Sequence, residues 1–548
     1  MKHLRLLFIS LSLLCTAIVC AQDFYIDGIY YSIYIDGTNT LSVTSGENRY
    51  SGDLIIPETV THDGVTYSVE SITSYAFSIC PELTSVRIPK SVGAIATPLF
   101  YRSDALASIV VDSESSFYDS RENCNAIISK STNTLVAGCK NSFIPDGVTS
   151  IGKYAFFGCE ELVNIEIPNS VTSIGERAFY QCGKLAINKI PNSVTSIGME
   201  AFDGCRGIVS LTIGNGVTSI GERAFGGCGF TDIEIPNSVT SIGNQAFGGC
   251  SALKSVTIGN GIKRFGDKVF EFCDNLATVT IAEGVTSIGR EAFAHCSSLT
   301  SIEIPNSVTS IGDRAFTQCS ALKSVTIGSG VKHIGSFAFN GCTELSNIVV
   351  DSGNRKYDSR ENCNSIIDTE YDFLICGCKN SFIPNGVTEI RDYAFSGCFG
   401  LTDIEIPNSV TSIGDRAFRE CSALKSVTIG NGVKHIGSDA FSDCTTLTRV
   451  VSLIPAEDLF AIGDDAFYRV DKTTCTLFVP IGTKETYSRT NGWKDFMNIV
   501  EIDATGIADV VDAPSDGVSN VYYDLNGIKV GNASKGIYVV NGKKVLVK

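Results

Sequence analysis

Histidine, tryptophan and methionine are almost missing from this chain of 548 residues, at five, one and three copies. Beyond His3, only His62, His295, His333 and His435 remain, too scattered for a Ser-His-Asp arrangement or a spaced pair of metal ligands. His333 and His435 share a Lys-His-Ile-Gly frame and read as surface substitutions. No Gly-x-x-x-x-Gly-Lys-Ser/Thr loop is present to cradle phosphates. The expectation is a protein that is not an enzyme and that needs no cofactor and no metal. Positive charge is also in deficit. With 43 Lys plus Arg against 59 Asp plus Glu, the net charge of -16 repels phosphate backbones and excludes nucleic acid as a partner. After residue 21 no run of eighteen uncharged apolar residues occurs, so no transmembrane segment is expected. Aromatic residues form no local cluster of the kind that stacks on sugars.

The start of the chain is different. Lys2, His3 and Arg5 precede an apolar run from Leu6 to Val19, and small residues follow at Val19-Cys20-Ala21, so residues 1–21 read as a signal peptide. Acylation on Cys20 is the rival reading, although Val19 departs from the small residue that a lipobox places before its cysteine. Both readings predict an exported chain.

What the sequence has in abundance is repetition. A core close to Ile-Gly-x-x-Ala-Phe-x-x-Cys recurs with its Phe at 156, 179, 202, 225, 247, 270, 293, 316 and 339, then at 395, 418 and 441. The step is 23 residues, once 22, a period at which each unit is one coil burying its face only against its neighbours. Val171, Ile174, Ala178, Phe179, Cys182 and Leu185 mark the apolar positions of one coil, and each should stack as a ladder. Leu-x-x-Ile-x-Ile-Pro, as in Leu299 to Pro305, alternates with period two and predicts a short strand that Pro ends. The three- and four-residue apolar spacing of Gly-x-x-Ala-Phe-x-x-Cys predicts a helical or 3₁₀ turn opposite it. The expected fold is therefore an α/β repeat solenoid, a leucine-rich-repeat superhelix with β-rich caps. About sixteen coils at roughly 4.8 Å each give a surface on the order of 75 Å long.

The pattern Ile-Pro-x-Ser-Val-Thr-Ser-Ile-Gly-x-x-Ala-Phe-x-x-Cys-x-x-Leu resembles the BspA-like leucine-rich-repeat family of bacterial surface proteins, and Phe77, Phe100 and Phe467 extend the match. That resemblance implies a right-handed solenoid at the cell surface or secreted. It implies protein–protein interaction or adhesion, to a host matrix or plasma protein or to another bacterial surface. An envelope component or a glycan or nutrient binder is the alternative.

Two interruptions break the period. From Phe100 to Phe156 and from Phe339 to Phe395 the spacing is 56 residues, and both gaps carry one insert, near 109–146 and 348–385. Tyr118-Asp-Ser-Arg-Glu-Asn-Cys-Asn and Gly138-Cys-Lys-Asn-Ser-Phe-Ile-Pro each recur 239 residues later, the mark of a block duplicated as a unit. Ile127-Ile128 and Ile366-Ile367 suggest hairpin strands, and the acidic residues around them match no calcium loop. Residues 22–70 read as an N-terminal β cap with turns at Asp27-Gly28 and Asp63-Gly64. The solenoid and its C-terminal cap, with Tyr487 and Trp493, span 71–502; 503–519 is a linker. Residues 520–548 form a β tail that resembles a type IX secretion sorting module, with a plain β appendage as the other reading.

Of 21 cysteines, thirteen fall three residues after the repeat Phe, one position and hence one ladder of small buried hydrophobes. Parallel side chains suit disulfides poorly, so free thiols are expected there. Cys124 with Cys139 and Cys363 with Cys378, inside the inserts, are the disulfide candidates. The candidate binding face lies on the strands, where the outward residue varies: Glu166, Thr212, Glu234, Thr257, Thr280, Glu303, Thr326, Glu405 and Thr428. Thr also favours strands for its own sake, and Glu keeps their surfaces soluble.

Overall fold

The structure is a computed structural model that describes residues 22–33 and 38–503, and beyond them the strands Tyr522–Tyr523, Lys529–Val530, Gly536–Val540 and Lys543–Val547. The leader 1–21 and nearly all of the expected linker lie outside the described residues. The chain divides into two compact units, 1–370 and 371–548.

The first unit opens with a sheet in which Gln22–Ile26, Ile29–Ile33, Thr40–Val43, Val65–Ile72 and Thr59–His62 are neighbours in that order. Its two hairpins turn at Asp27-Gly28 (φ 49° and 85°) and Asp63-Gly64 (φ 48° and 79°). Two successive residues at positive φ are what a two-residue loop needs to match the twist of its strands. Tyr31, Leu41, Val43 and Val69 are buried beneath this sheet, and Tyr50 meets the first repeat ring, Phe77, at 5.3 Å.

The coils that follow are β-solenoid turns. Ser150–Ile151, Ser173–Ile174, Ser196–Ile197, Ser219–Ile220 and Ser241–Ile242 form one parallel ladder, so Val-Thr-Ser-Ile-Gly is a strand that the sequence pattern did not reveal. The expected strand of Leu-x-x-Ile-x-Ile forms a second ladder, as in Asp232–Ile235, Ser255–Ile258 and Thr278–Ile281. Between the ladders Val171, Ile174, Ala178, Phe179, Cys182 and Leu185 are fully buried. From Phe156 to Phe339 successive rings stack with centroids 5.1 to 5.4 Å apart and planes within 13° of parallel. Since carbon contact lies near ~3.5–4.0 Å, parallel rings at that centroid distance must be displaced sideways, the favoured aromatic geometry.

The third side corrects the helical expectation. Among the described residues the only α-helix is Lys484–Tyr487, and the 3₁₀ segments Arg121–Asn123, Arg360–Asn362 and Ala456–Asp458 lie outside the repeat motif. In Gly-x-x-Ala-Phe-x-x-Cys the residues two before and two after Phe take positive φ, as at Arg177 (52°) and Gln181 (57°) or Arg314 (54°) and Gln318 (60°). That alternation aims every second N–H at the next coil: Arg177, Phe179 and Gln181 donate to the carbonyls of Met199, Ala201 and Asp203 at 2.7 to 2.8 Å. The N–H groups between them close short turns, as Tyr180 does on Arg177 at 3.2 Å. A helix spends its N–H groups within itself and would leave this side of the stack unlinked.

The cysteine position is explained by the same carbonyls. From Cys182 to Cys342, and again at Cys421 and Cys444, each ladder thiol donates to the Phe carbonyl of the preceding coil, Cys182 to Phe156 at 3.1 Å, Cys205 to Phe179 at 3.0 Å and Cys319 to Phe293 at 3.2 Å. Cys124, Cys139, Cys363 and Cys378, expected in disulfides, are buried as thiols that form no disulfide bond. Their sulfurs are engaged locally: Cys124 faces the Ala126 carbonyl at 3.7 Å, Cys139 faces that of Asn125 at 3.5 Å, and Cys378 accepts from the Ser381 hydroxyl at 3.5 Å. The first insert is three antiparallel strands, Ala126–Ser129 between Tyr118–Asp119 and Thr134–Gly138. The Ser120 hydroxyl ties it back by accepting from the Val111 N–H at 2.8 Å, and Ser359 repeats this at Val350. Both carboxylate oxygens of Asp119 are held by Arg121 at 2.9 Å, a structural use of the insert's acid.

The second unit repeats the architecture. Phe395, Phe418, Phe441 and Phe467 stack at 4.8 to 5.2 Å, and five parallel strands run from Asp403–Ile406 to Asn498–Ile502. Its stack closes on Trp493, which is buried 5.9 Å from the Phe467 ring and donates from Nε1 to the Phe460 carbonyl at 3.2 Å. Tyr487 completes this cover through its hydroxyl, which donates to the Ile454 carbonyl at 2.8 Å. The tail strands form a four-stranded antiparallel sheet.

Two expectations follow from coil spacing and burial. At Gly312 a Cβ would sit 2.6 Å from the Arg290 backbone nitrogen, whereas at Gly249 (φ 71°) it would meet nothing within 4 Å. Gly312→Ala should therefore lower the chemical unfolding midpoint by about 3 kcal/mol in equivalent stability, and Gly249→Ala by about 1–2 kcal/mol, the cost of left-handed backbone alone. Equal effects would contradict the close approach of the coils. Burial pushes the thiols of Cys250 and Cys319 up to about 12, so at pH 8 almost no thiolate is present to react. Ellman's reagent should leave the ladder untouched in the native chain and count it in full after denaturation; a count near zero after denaturation would show it oxidised.

Candidate functional site

The strand ladder presents two outward columns on each unit, because alternate strand residues face opposite ways. One holds the predicted stripe. Glu234, Thr257 and Thr280 are in register on adjacent parallel strands, as are Glu303, Thr326 and Val349, and all but Val349 were expected. In the second unit Glu405 and Thr428 are in register with Val451. Thr428 is half-buried; the other predicted residues are exposed, Glu166 from a segment with no strand pairing. The second column was missed: Asp232, Ser255 and Thr278 run beside the first, with the Ser255 hydroxyl bonded to Asp232. Hydrogen bonds from Ser255 and Thr231 hold the Asp232 carboxyl below its ordinary value.

Lys189 corrects the stripe as read. It pairs in register with Thr212 and stands exposed between the levels of Glu166 and Thr212, so the acidic run is interrupted by a cation. Its coil reads Leu185-Ala-Ile-Asn-Lys-Ile, with Ile and Asn exchanged relative to the pattern, which hid the position.

The turn side carries features that sequence reading did not find. Tyr101, Phe157 and Tyr180 each follow a repeat Phe directly; Phe157 meets Tyr101 at 4.8 Å with planes tilted by 32° and stacks on Tyr180 at 5.1 Å. The absence of local aromatic clusters was therefore misleading: the solenoid assembles one from residues 56 and 23 positions apart. Scanning at the repeat spacing would have found it. Further along, Phe272 is half-exposed and stacks on His295 at 4.5 Å. Ion pairs link neighbouring coils on this side. Arg177 clasps Glu200 at 2.8 and 2.9 Å, Arg223 holds the buried Asp203 at 3.1 Å, and the buried Glu291 meets Lys268 at 2.6 Å and Arg290 at 3.1 Å. Among the described residues no group of three or more His, Cys, Asp or Glu is placed to hold a metal ion, and no helix is long and apolar enough to cross a membrane.

This geometry, a stack of β coils on a Phe and Cys spine, is that of a bacterial leucine-rich-repeat protein. The chain belongs to the family described as BspA type leucine rich repeat region, which matches in six copies over residues 60–139, 137–253, 182–300, 286–368 and 366–487. Among solved structures it is similar to a leucine-rich repeat protein from Bacteroides ovatus, at 23% identity over 88% of this chain and 100% of that one, with a TM-score of 0.47. It is also similar to a leucine rich cell surface protein from Faecalibacterium prausnitzii, at 28% identity over 80% of this chain and 96% of that one, with a TM-score of 0.41. The pneumococcal vaccine antigen PcpA is a third, at 17% identity over 88% of this chain and 99% of that one, with a TM-score of 0.33. No curated protein matches the chain.

The ion network gives a pH dependence. Burial pushes the Glu291 carboxyl up, but Lys268, Arg290 and Arg314 outweigh it and hold the group below its ordinary value. A carboxylate depressed in the folded state contributes stability that is present above its unfolded value, near ~4.3, and lost as pH falls through the folded one. Glu291→Gln should thus unfold more readily than the parent at pH 7, and the gap should close by pH 3. A gap that persists at pH 3 would assign the loss to packing. Burial raises the Asp203 carboxyl despite Arg223, so its own contribution has the opposite sign.

Proposed function

We propose that this chain is an exported, non-catalytic interaction protein that uses the strand face of its solenoid to bind a protein ligand. One observation carries the reading: in the first unit the exposed Glu and Thr residues form in-register columns along a parallel ladder, as with Glu234, Thr257 and Thr280. Such columns give one extended surface of near-constant backbone geometry, on which only side-chain identity changes from coil to coil. Glu and Thr supply acceptors and hydroxyls without forming a large apolar patch, which suits a partner met and released in water. Export is supported by the leader-like residues 1–21 and by the cell-surface relative from Faecalibacterium prausnitzii. The tail from 520 to 548 is either a sorting module of the type IX kind or a plain β appendage. Host matrix and plasma proteins are the first ligands to test, because that is what the family resemblance implies.

The whole chain, immobilised, should retain at least one purified matrix or plasma protein saturably, and Glu234→Lys with Glu303→Lys should weaken retention about tenfold, equivalent to ~1.4 kcal/mol. Retention that ignores both substitutions would exclude the strand face, and no retention across a broad panel would sink the protein-ligand reading.

A further inference from the structure

The turn side of the first unit carries a groove that the strand-face reading does not use. Along the column that begins with Tyr101, Phe157 and Tyr180, two successive coils read Phe225-Gly-Gly-Cys and Phe247-Gly-Gly-Cys. With Gly204 from the coil before, Gly227, Gly248 and Gly249 leave three successive coils without side chains there and line a groove of about 460 Å³, within the size range of small-molecule sites. Tyr180 stands at one end and Phe272 at the other, four coils and roughly 19 Å apart at the spacing of paired strands. Each end wall is backed by a second ring, Phe157 behind Tyr180 at 5.1 Å and His295 behind Phe272 at 4.5 Å.

The floor offers shape and few polar groups. The Gly227 and Gly249 N–H groups are already spent on the Gly248 and Glu271 carbonyls at 2.9 and 2.8 Å, and a Cβ at either glycine would point into empty space. Polar atoms come from the sides, and they are flat and held in place. Asp203 is fixed by Arg223 at 3.1 Å; Glu271 is fixed by Lys268 at 2.9 Å and by the Gln245 amide at 3.2 Å. Arg206 is exposed at the rim and has no ion pair among the described residues. The charges balance, Asp203 and Glu271 against Arg206 and Arg223.

From this arrangement we propose that the groove binds a neutral oligosaccharide. Ring faces bearing C–H groups would lie on Tyr180 and Phe272, and sugar hydroxyls would bridge the carboxylates, amide and guanidinium groups between them. A peptide adding as a strand is a poor fit, because that mode draws on free backbone donors and acceptors and this floor has spent the Gly227 and Gly249 N–H groups. A polyanion or a basic tract is disfavoured by the balance of charge.

The test uses the whole chain against an array of neutral and acidic glycans, followed by calorimetric titration of the strongest tetrasaccharide and, in parallel, of tetralysine and a neutral tetrapeptide. Saturable binding of a neutral tetrasaccharide is expected. Tyr180→Ala and Phe272→Ala should each weaken it at least about tenfold, since each removes one of the two aromatic platforms. The blocking variant is G227Q with G249Q, because Gln already occupies this left-handed position at Gln181 and Gln318; it should fold normally and abolish binding. Glu303→Lys on the strand face should leave it unchanged, which separates this site from the protein-binding one. No saturable glycan signal, equal binding by the blocking variant, or tighter binding of either peptide would overturn the proposal.

Discussion

Every coil gives part of its backbone N–H supply to the coil beside it, and the fixed register of those bonds is the constraint on which the rest of the structure depends. Ser173 pairs with Ser196 and Ile174 with Ile197, while on the turn side Phe179 donates to Ala201. Because a coil can bond only to a neighbour of the same shape, equivalent residues are forced into columns. A column of Phe rings must stack, a column of Cys must find acceptors, and a column of close backbone contacts must be Gly. Residue choice at these places answers to the neighbouring coil more than to the local chain.

That dependence explains what could be read in the sequence. Inward columns recur at every step, so Val171, Ile174, Phe179, Cys182 and Leu185 were legible as core, and all are buried. The Asp-Gly hairpins of the cap and the Trp493 cover were legible for the same kind of reason, a local signal with one structural solution. The turn segment was not. Its apolar spacing fits a helix, but spacing reports which side chains face inward and is blind to the sign of φ. Arg177 and Gln181 give no hint of left-handed backbone; only the need to hydrogen-bond sideways imposes it, at a cost of ~1–2 kcal/mol per residue that the added inter-coil bonds offset.

Outward columns follow no such rule, and the candidate sites are written there. The strand-face stripe was legible because Glu and Thr keep one offset from the buried Ile, and it slipped at Lys189, where that offset is disturbed. The aromatic column was illegible for a different reason. Tyr101, Phe157 and Tyr180 are distant in sequence and become neighbours only when the period and the insert are both taken into account. A solenoid turns sequence separation of one repeat into contact, so its sites are composed across coils and seldom within one.

The duplicated block supplies an internal control on which columns the fold requires. Displaced by 239 residues, Phe156, Cys159, Leu162, Phe179 and Cys182 reappear as Phe395, Cys398, Leu401, Phe418 and Cys421, and Glu166 reappears as Glu405. On the turn side the same displacement turns Phe157 into Ser396, Tyr180 into Arg419 and Asp203 into Ser442. The second unit nevertheless stacks its rings at 4.8 to 5.2 Å. Turn-side aromatics and the buried Asp203 are therefore dispensable for coil stacking, and Asp203 is kept although burial disfavours its charge. Two copies of one scaffold share the Phe and Cys spine and diverge on their outward columns, on the turn side around Tyr180 and on the strand face where Lys189 and Thr212 become Thr428 and Val451.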